Sequence, residues 1–151
     1  QFYSTNSHIK FDIVGEAASS DQAVRLVSEQ HPMLVLLDME LSTGDGIATL
    51  TELSKLECKF KALVLSGHRE NEWVFRAMRA GACGYVVKDE LATQLFNAIT
   101  TVLNHQVYLS PETTTGFFQM FRFYAGQVLE ARSQFHLTKI LRLDFISQLL
   151  R

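Results

Sequence analysis

Several kinds of site are missing from this 151-residue chain. It has two cysteines, Cys58 and Cys83, with no C-x-x-C spacing, so neither a thiolate zinc site nor a disulfide framework is expected. They read as two small buried apolar residues in a reducing, cytoplasmic setting. No apolar run approaches the roughly 20 residues needed to cross a bilayer, and QFYSTNSHIK lacks the basic-then-apolar order of a secretion signal, so no membrane is expected as a partner. Fourteen basic residues against sixteen acidic ones give a net charge of -2, dispersed along the chain. There is thus no basic stripe with which to hold nucleic acid. The five histidines contain no i, i+4 pair, which argues against a histidine metal site and makes them surface or packing residues. No G-x-S-x-G elbow is present, which disfavours a hydrolase of the serine type. Residues 1–11 contain no Asp or Glu.

What is present alternates between two periodicities. FDIVGEA (11–17) is rich in β-branched residues and predicts a strand; Ser19 with Gln22 three positions on predicts a capped helix carrying Ala23, Val24 and Val27, closed off near Pro32. MLVLLD (33–38) is a continuous apolar run, the pattern of a strand covered on both faces. A glycine-punctuated loop, a helix over about 47–56 and a second apolar strand, KALVLS (61–66), follow. Then come a helix with Val74, Ala77 and Met78 on one face, a short strand at 85–87, and a helix with Leu91, Leu95, Ala98, Ile99 and Val102 on one face. Strands alternating with helices at this period predict βαβ units and a parallel α/β sheet. In such sheets function collects at the carboxyl ends of strands, and Asp38, Ser66 and Lys88 each fall at one.

From about Thr113 the composition turns aromatic. Phe117, Phe121, Tyr124 and Val128 share one helical face, for packing or dimerisation, and Leu137, Ile140, Leu141, Phe145 and Leu149 nearly share another. The organisation expected is a domain over 1–107, a linker over 108–115 containing Pro111, and a helical extension over 116–151.

A carboxylate, a hydroxyl and a lysine on three strand ends are the parts needed for a carboxylate to accept a phosphoryl group, with the lysine neutralising phosphoryl oxygens and the hydroxyl donating to one. In VGEA (14–17), LVLLDMELSTGDG (34–46), LVLSGH (63–68), AMRAGACGYVVKDEL (77–91) and Tyr108-Leu109-Ser110-Pro111, taken in order, the chain resembles the receiver domains of two-component response regulators, in the LuxR-type (NarL/FixJ-like) subclass. The resemblance implies a flavodoxin-like (CheY-like) doubly wound sheet, order 2-1-3-4-5, with its first strand missing here, plus a helical C-terminal extension. It implies Asp38 as phosphoacceptor, Ser66 as switch hydroxyl, Lys88 as phosphate-binding lysine, and Tyr85 as the aromatic that changes rotamer with Ser66. Magnesium is implied too, ligated by Asp38 and the Glu40 backbone carbonyl. The acidic pair that ends the family's first strand has no counterpart in residues 1–11, so the metal is expected to bind weakly. Ser42, where proline is usual, affects loop stiffness more than chemistry. The expected partner is a sensor histidine kinase, with a homodimer through the aromatic helix. DNA is expected only for the full-length parent, because the Leu137-Thr138 that resembles the start of a helix-turn-helix domain is followed by thirteen residues. The reading is thus an N-terminally truncated receiver, not an enzyme beyond self-catalysed phosphotransfer. The alternative is a degenerate receiver serving as a phosphate-independent interaction module.

Overall fold

In a computed structural model, residues 10–40 and 45–133 are described. Ser42, the histidines at 8 and 136, and the second apolar face over 137–149 lie outside them. The element order is α1 (Ser20–Gln30), β1 (Leu34–Asp38), α2 (Gly46–Ser54), β2 (Lys61–Ser66), α3 (Asn71–Arg79), β3 (Gly84–Val87), a 3-10 turn (Lys88–Glu90), α4 (Leu91–Leu103) and α5 (Pro111–Ser133).

Helix starts follow the local signals. Ser19 Oγ accepts from Gln22 N (3.3 Å) while the Gln22 side chain accepts from Ala18 N (2.9 Å), so the expected capping box forms one residue wide of its usual reciprocal partner. α1 stops at His31, which takes a left-handed conformation (φ 47°) and returns its N–H to Val27 O. α2 starts on Asp45, whose Oδ1 accepts from Ile47 N at 2.9 Å.

The three strands run parallel in the order β1-β2-β3. Asp38 lies opposite Leu65, and Ser66 opposite Val87, so the three carboxyl ends finish side by side. Alternation along β2 divides the core between the two faces. Ala62 and Val64 join Leu37, Leu50, Val74 and Tyr85 beneath α2 and α3. Leu63 joins Val86, Leu95, Ala98 and Val102 beneath α4. Fully buried Leu50, Leu63 and Val64 each contribute about 1.5–3 kcal/mol relative to exposure. β2 and β3 are covered on both faces as an apolar run predicts, whereas β1, read from MLVLLD as doubly covered, is an edge strand of the described sheet with Leu36 exposed.

One predicted strand does not form. Residues 11–17 form no strand: Phe11, Ile13 and Val14 are exposed, Ile13 by 76%. β propensity describes how side chains suit a pleated, half-buried surface, and it supplies no hydrogen-bond partner. Among the described residues this segment pairs with no strand, although β1 is paired on one side only. The segment read as a linker, 108–115, also differs from expectation. Tyr108 bridges to Gly84 along the outer edge of β3, and Pro111–Ser133 is helical. Proline suits that first helical position because no N–H partner is needed there. Finally, Cys58 and Cys83 are free but only partly buried.

α5 lies along α3. Phe75 stacks on Tyr124 (centroids 5.0 Å) and meets Phe117 at 5.6 Å, so the aromatic face that the sequence offers for packing or dimerisation is used for packing within the chain.

Candidate functional site

The site forms where the three parallel strands end. Asp38 is the last residue of β1, Ser66 the last of β2, and Lys88 follows β3 directly. The Lys88 ammonium lies 2.9 Å from Asp38 Oδ1 and 2.8 Å from Glu40 Oε2, one cation between two carboxylates. Asp38 Oδ1 also accepts from Glu40 N at 2.8 Å. Both bonds converge on Oδ1; among the described residues Oδ2 receives none. Glu40 holds the Lys88 ammonium protonated above its ordinary range, with Asp38 adding to the effect. In return Lys88 depresses the Glu40 carboxyl below the ordinary glutamate value. Both groups are therefore charged across the neutral range.

Behind this pair is a buried network. Ser66 is fully buried, and its Oγ accepts from His68 N at 3.0 Å. The Tyr85 hydroxyl donates to His68 O at 2.8 Å and is close enough to the Ser66 hydroxyl to feel it. Burial pushes the Tyr85 hydroxyl up, and the Ser66 bond opposes that shift. The turn after β2 is thus held from beneath by the Ser66–Tyr85 couple. It is held from outside by Arg69, which pairs with Asp89 (3.3 Å) and Glu90 (3.1 Å), and by His68, whose ring stacks on Trp73 at 4.6 Å.

Of the expected residues, the fold brings Asp38, Glu40 and Lys88 into direct contact. Ser66 stands at the neighbouring strand end, but its hydroxyl is engaged with His68 and Tyr85, away from the Asp38–Lys88 pair. Lys88 does not pair with the adjacent Asp89, which belongs to Arg69. Glu40 enters through its side chain, whereas sequence reasoning assigned only its backbone carbonyl. The available signal was its position two residues past a strand-end aspartate, opposite a lysine. Arg69 and the His68 carbonyl carried no sequence signal, because their partners are distant in the chain.

Receiver domains as a class bind magnesium. Among the described residues no three of His, Cys, Asp and Glu cluster in a way that could hold a metal ion. Asp38 and Glu40 are the carboxylates at this rim, and the Lys88 ammonium is set against both. That set does not by itself amount to a magnesium site. Among the described residues, no helix is long and apolar enough to cross a membrane.

The model of the response regulator receiver domain matches residues 5–100. The chain is 31% identical over 111 residues to the response regulator protein VraR of Staphylococcus aureus, covering 74% of this chain and 52% of that protein. It is 27% identical over 113 residues to the transcriptional regulatory protein DegU of Brevibacillus brevis, covering 75% and 48%. It thus spans about half the length of the curated relatives it matches. Among solved structures, a two-component response regulator of the LuxR family from Aurantimonas sp. superposes with a TM-score of 0.66 at 28% identity, covering 72% of this chain and 77% of that one. Response regulators interact with sensor kinases and can dimerise and bind DNA, and their receiver domains are generally not enzymes. With a parallel sheet of this kind, strand-end residues in this order and relatives of the LuxR family, the chain belongs to the response regulator receiver-domain family, whose work is phosphorelay signal transduction.

Proposed function

We propose that Asp38 is the phosphoryl acceptor of this receiver and that Lys88 is its phosphate-binding cation, with Ser66 and Tyr85 as the coupled switch. The observation that carries the reading is the geometry of Asp38: Oδ1 is fixed by Lys88 Nζ and Glu40 N, and Oδ2 receives no bond among the described residues. In this reading Oδ2 attacks the phosphorus of a phosphohistidine on a sensor histidine kinase. The P–N bond breaks, its electron pair stays on the imidazole, and an acyl phosphate forms on Asp38. Lys88 meets the charge on the transferring oxygens as a compact ammonium. Ser66 then exchanges a partner for a phosphoryl oxygen, releasing the Tyr85 hydroxyl, and the turn after β2 shifts. Among the described residues, Asp38 and the Glu40 carbonyl are the oxygens that would meet the family's magnesium, and Lys88 would share in the neutralisation.

For the longer protein, the LuxR-family relatives support transcription regulation through a DNA-binding domain. Two separate free cysteines suit a reducing cytoplasm. A homodimer would use the exposed rings of α5, Phe118 and Phe123. The phosphate-independent interaction module is disfavoured because Phe117, its anchor, is engaged by Phe75 within the chain. The test is intact mass after incubation with acetyl phosphate and magnesium. A gain of one phosphoryl group is expected, lost in Asp38→Asn and strongly reduced in Lys88→Ala. An Asp38→Asn chain that gains mass as the parent does would overturn the assignment.

A further inference from the structure

The Glu40 side chain occupies a position that the proposed reaction needs. Its Oε2 accepts from Lys88 Nζ at 2.8 Å. Its Oε1 also lies against Gly67: a Cβ built there would stand 2.7 Å from it, and the nearby Gly67 N–H helps to hold the carboxylate ionised. Glycine is therefore what allows the carboxylate to reach the strand-end amide. An ammonium and a backbone N–H converging on one anion make the kind of donor pair that binds phosphoryl oxygens. Here a carboxylate of the same chain already accepts from the ammonium and lies against the glycine that carries the amide.

We propose that the Glu40 carboxylate is an internal stand-in for the phosphoryl group, occupying Lys88 and the Gly67 amide until phosphate displaces it. The proposal rests on the reading of Asp38 as acceptor and adds a positioning residue that sets how readily that acceptor is charged. Displacement is feasible. The Glu40 side chain is 47% exposed, so it can swing into water without losing buried packing. A phosphoryl group carries more charge than a carboxylate and repels Glu40 as it takes Lys88. Gly67 sits between Ser66 and His68, so exchange of the anion on its amide acts directly on the turn that Ser66 and Tyr85 hold.

The experiment titrates inorganic phosphate into the full chain and follows the Gly67 amide by proton–nitrogen NMR, which requires no covalent step. In Glu40→Gln the Gly67 amide is expected to respond at phosphate concentrations lower than in the parent by on the order of fivefold, the upper range for an exposed ion pair. Adding Lys88→Ala in that background is expected to abolish the response. A Glu40→Gln chain that responds at the same or higher phosphate than the parent overturns the proposal, as does a response that survives loss of Lys88. With acetyl phosphate, Glu40→Gln is expected to gain mass faster than the parent. Failure of the acceptor reading is separately visible as mass gain in Asp38→Asn, whereas the phosphate titration decides the role of Glu40 on its own.

Discussion

Tyr85→Phe removes one oxygen from the middle of the proposed switch and leaves the rest of the ring in place. The ring is fully buried, so its apolar packing against the cluster under α2 and α3 is retained. What disappears is the bond to His68 O at 2.8 Å and the oxygen nearby that the Ser66 hydroxyl can reach. His68 is partly exposed, and its carbonyl can be rehydrated; that loss alone costs about 0.5–1.5 kcal/mol. Ser66 is fully buried and keeps its bond from His68 N, but its own hydroxyl proton loses its partner, and a buried unsatisfied donor costs about 1–3 kcal/mol. Together the two losses come to about 1.5–4.5 kcal/mol. Urea unfolding followed by far-UV circular dichroism measures it. Trp73, the single tryptophan, stacks on His68 and reports the turn itself by fluorescence. Ser66→Ala removes the other end of the same bond, so the double variant is expected to fall short of the sum of the singles by about 1 kcal/mol. Additive single effects, or a Tyr85→Phe chain within about 0.3 kcal/mol of the parent with unchanged tryptophan emission, would refute the coupling between Ser66, Tyr85 and the turn.

Two further outcomes are expected from packing. Gly46→Ala places a Cβ 2.7 Å from the Met39 Cα, a backbone atom that cannot give way freely, and should destabilise the fold by about 1–3 kcal/mol in thermal or urea unfolding while disturbing the loop beside Asp38. Phe75→Ala removes the ring between Phe117 and Tyr124 and should cost about 3–5 kcal/mol, with hydrogen exchange rising first in α5.

Much of the fold could be read from local pattern because its causes are local. The continuous apolar runs ending at Asp38 and Ser66 became β1 and β2, and the Ser19–Gln22 pair began α1. Where the cause is a partner, the pattern failed: FDIVGEA has the composition of a strand, yet a strand exists only where the chain is brought to a pairing partner, and among the described residues this segment pairs with none. The same limit applied to Pro111, whose fixed φ suits a helix start as well as a linker.

By itself the sequence determined that a carboxylate, a hydroxyl and a lysine would stand at three neighbouring strand ends, because apolar run length and helix spacing set where each strand stops. Only the tertiary structure decided which of them touch. Lys88 chose Asp38 and Glu40 over the adjacent Asp89, Ser66 turned to His68, and Glu40 came to lie against Gly67 across the gap between β1 and β2. The physical reason is that side-chain bonds depend on distances of under about 3.5 Å between groups far apart in the chain, and the register of a folded sheet sets those distances.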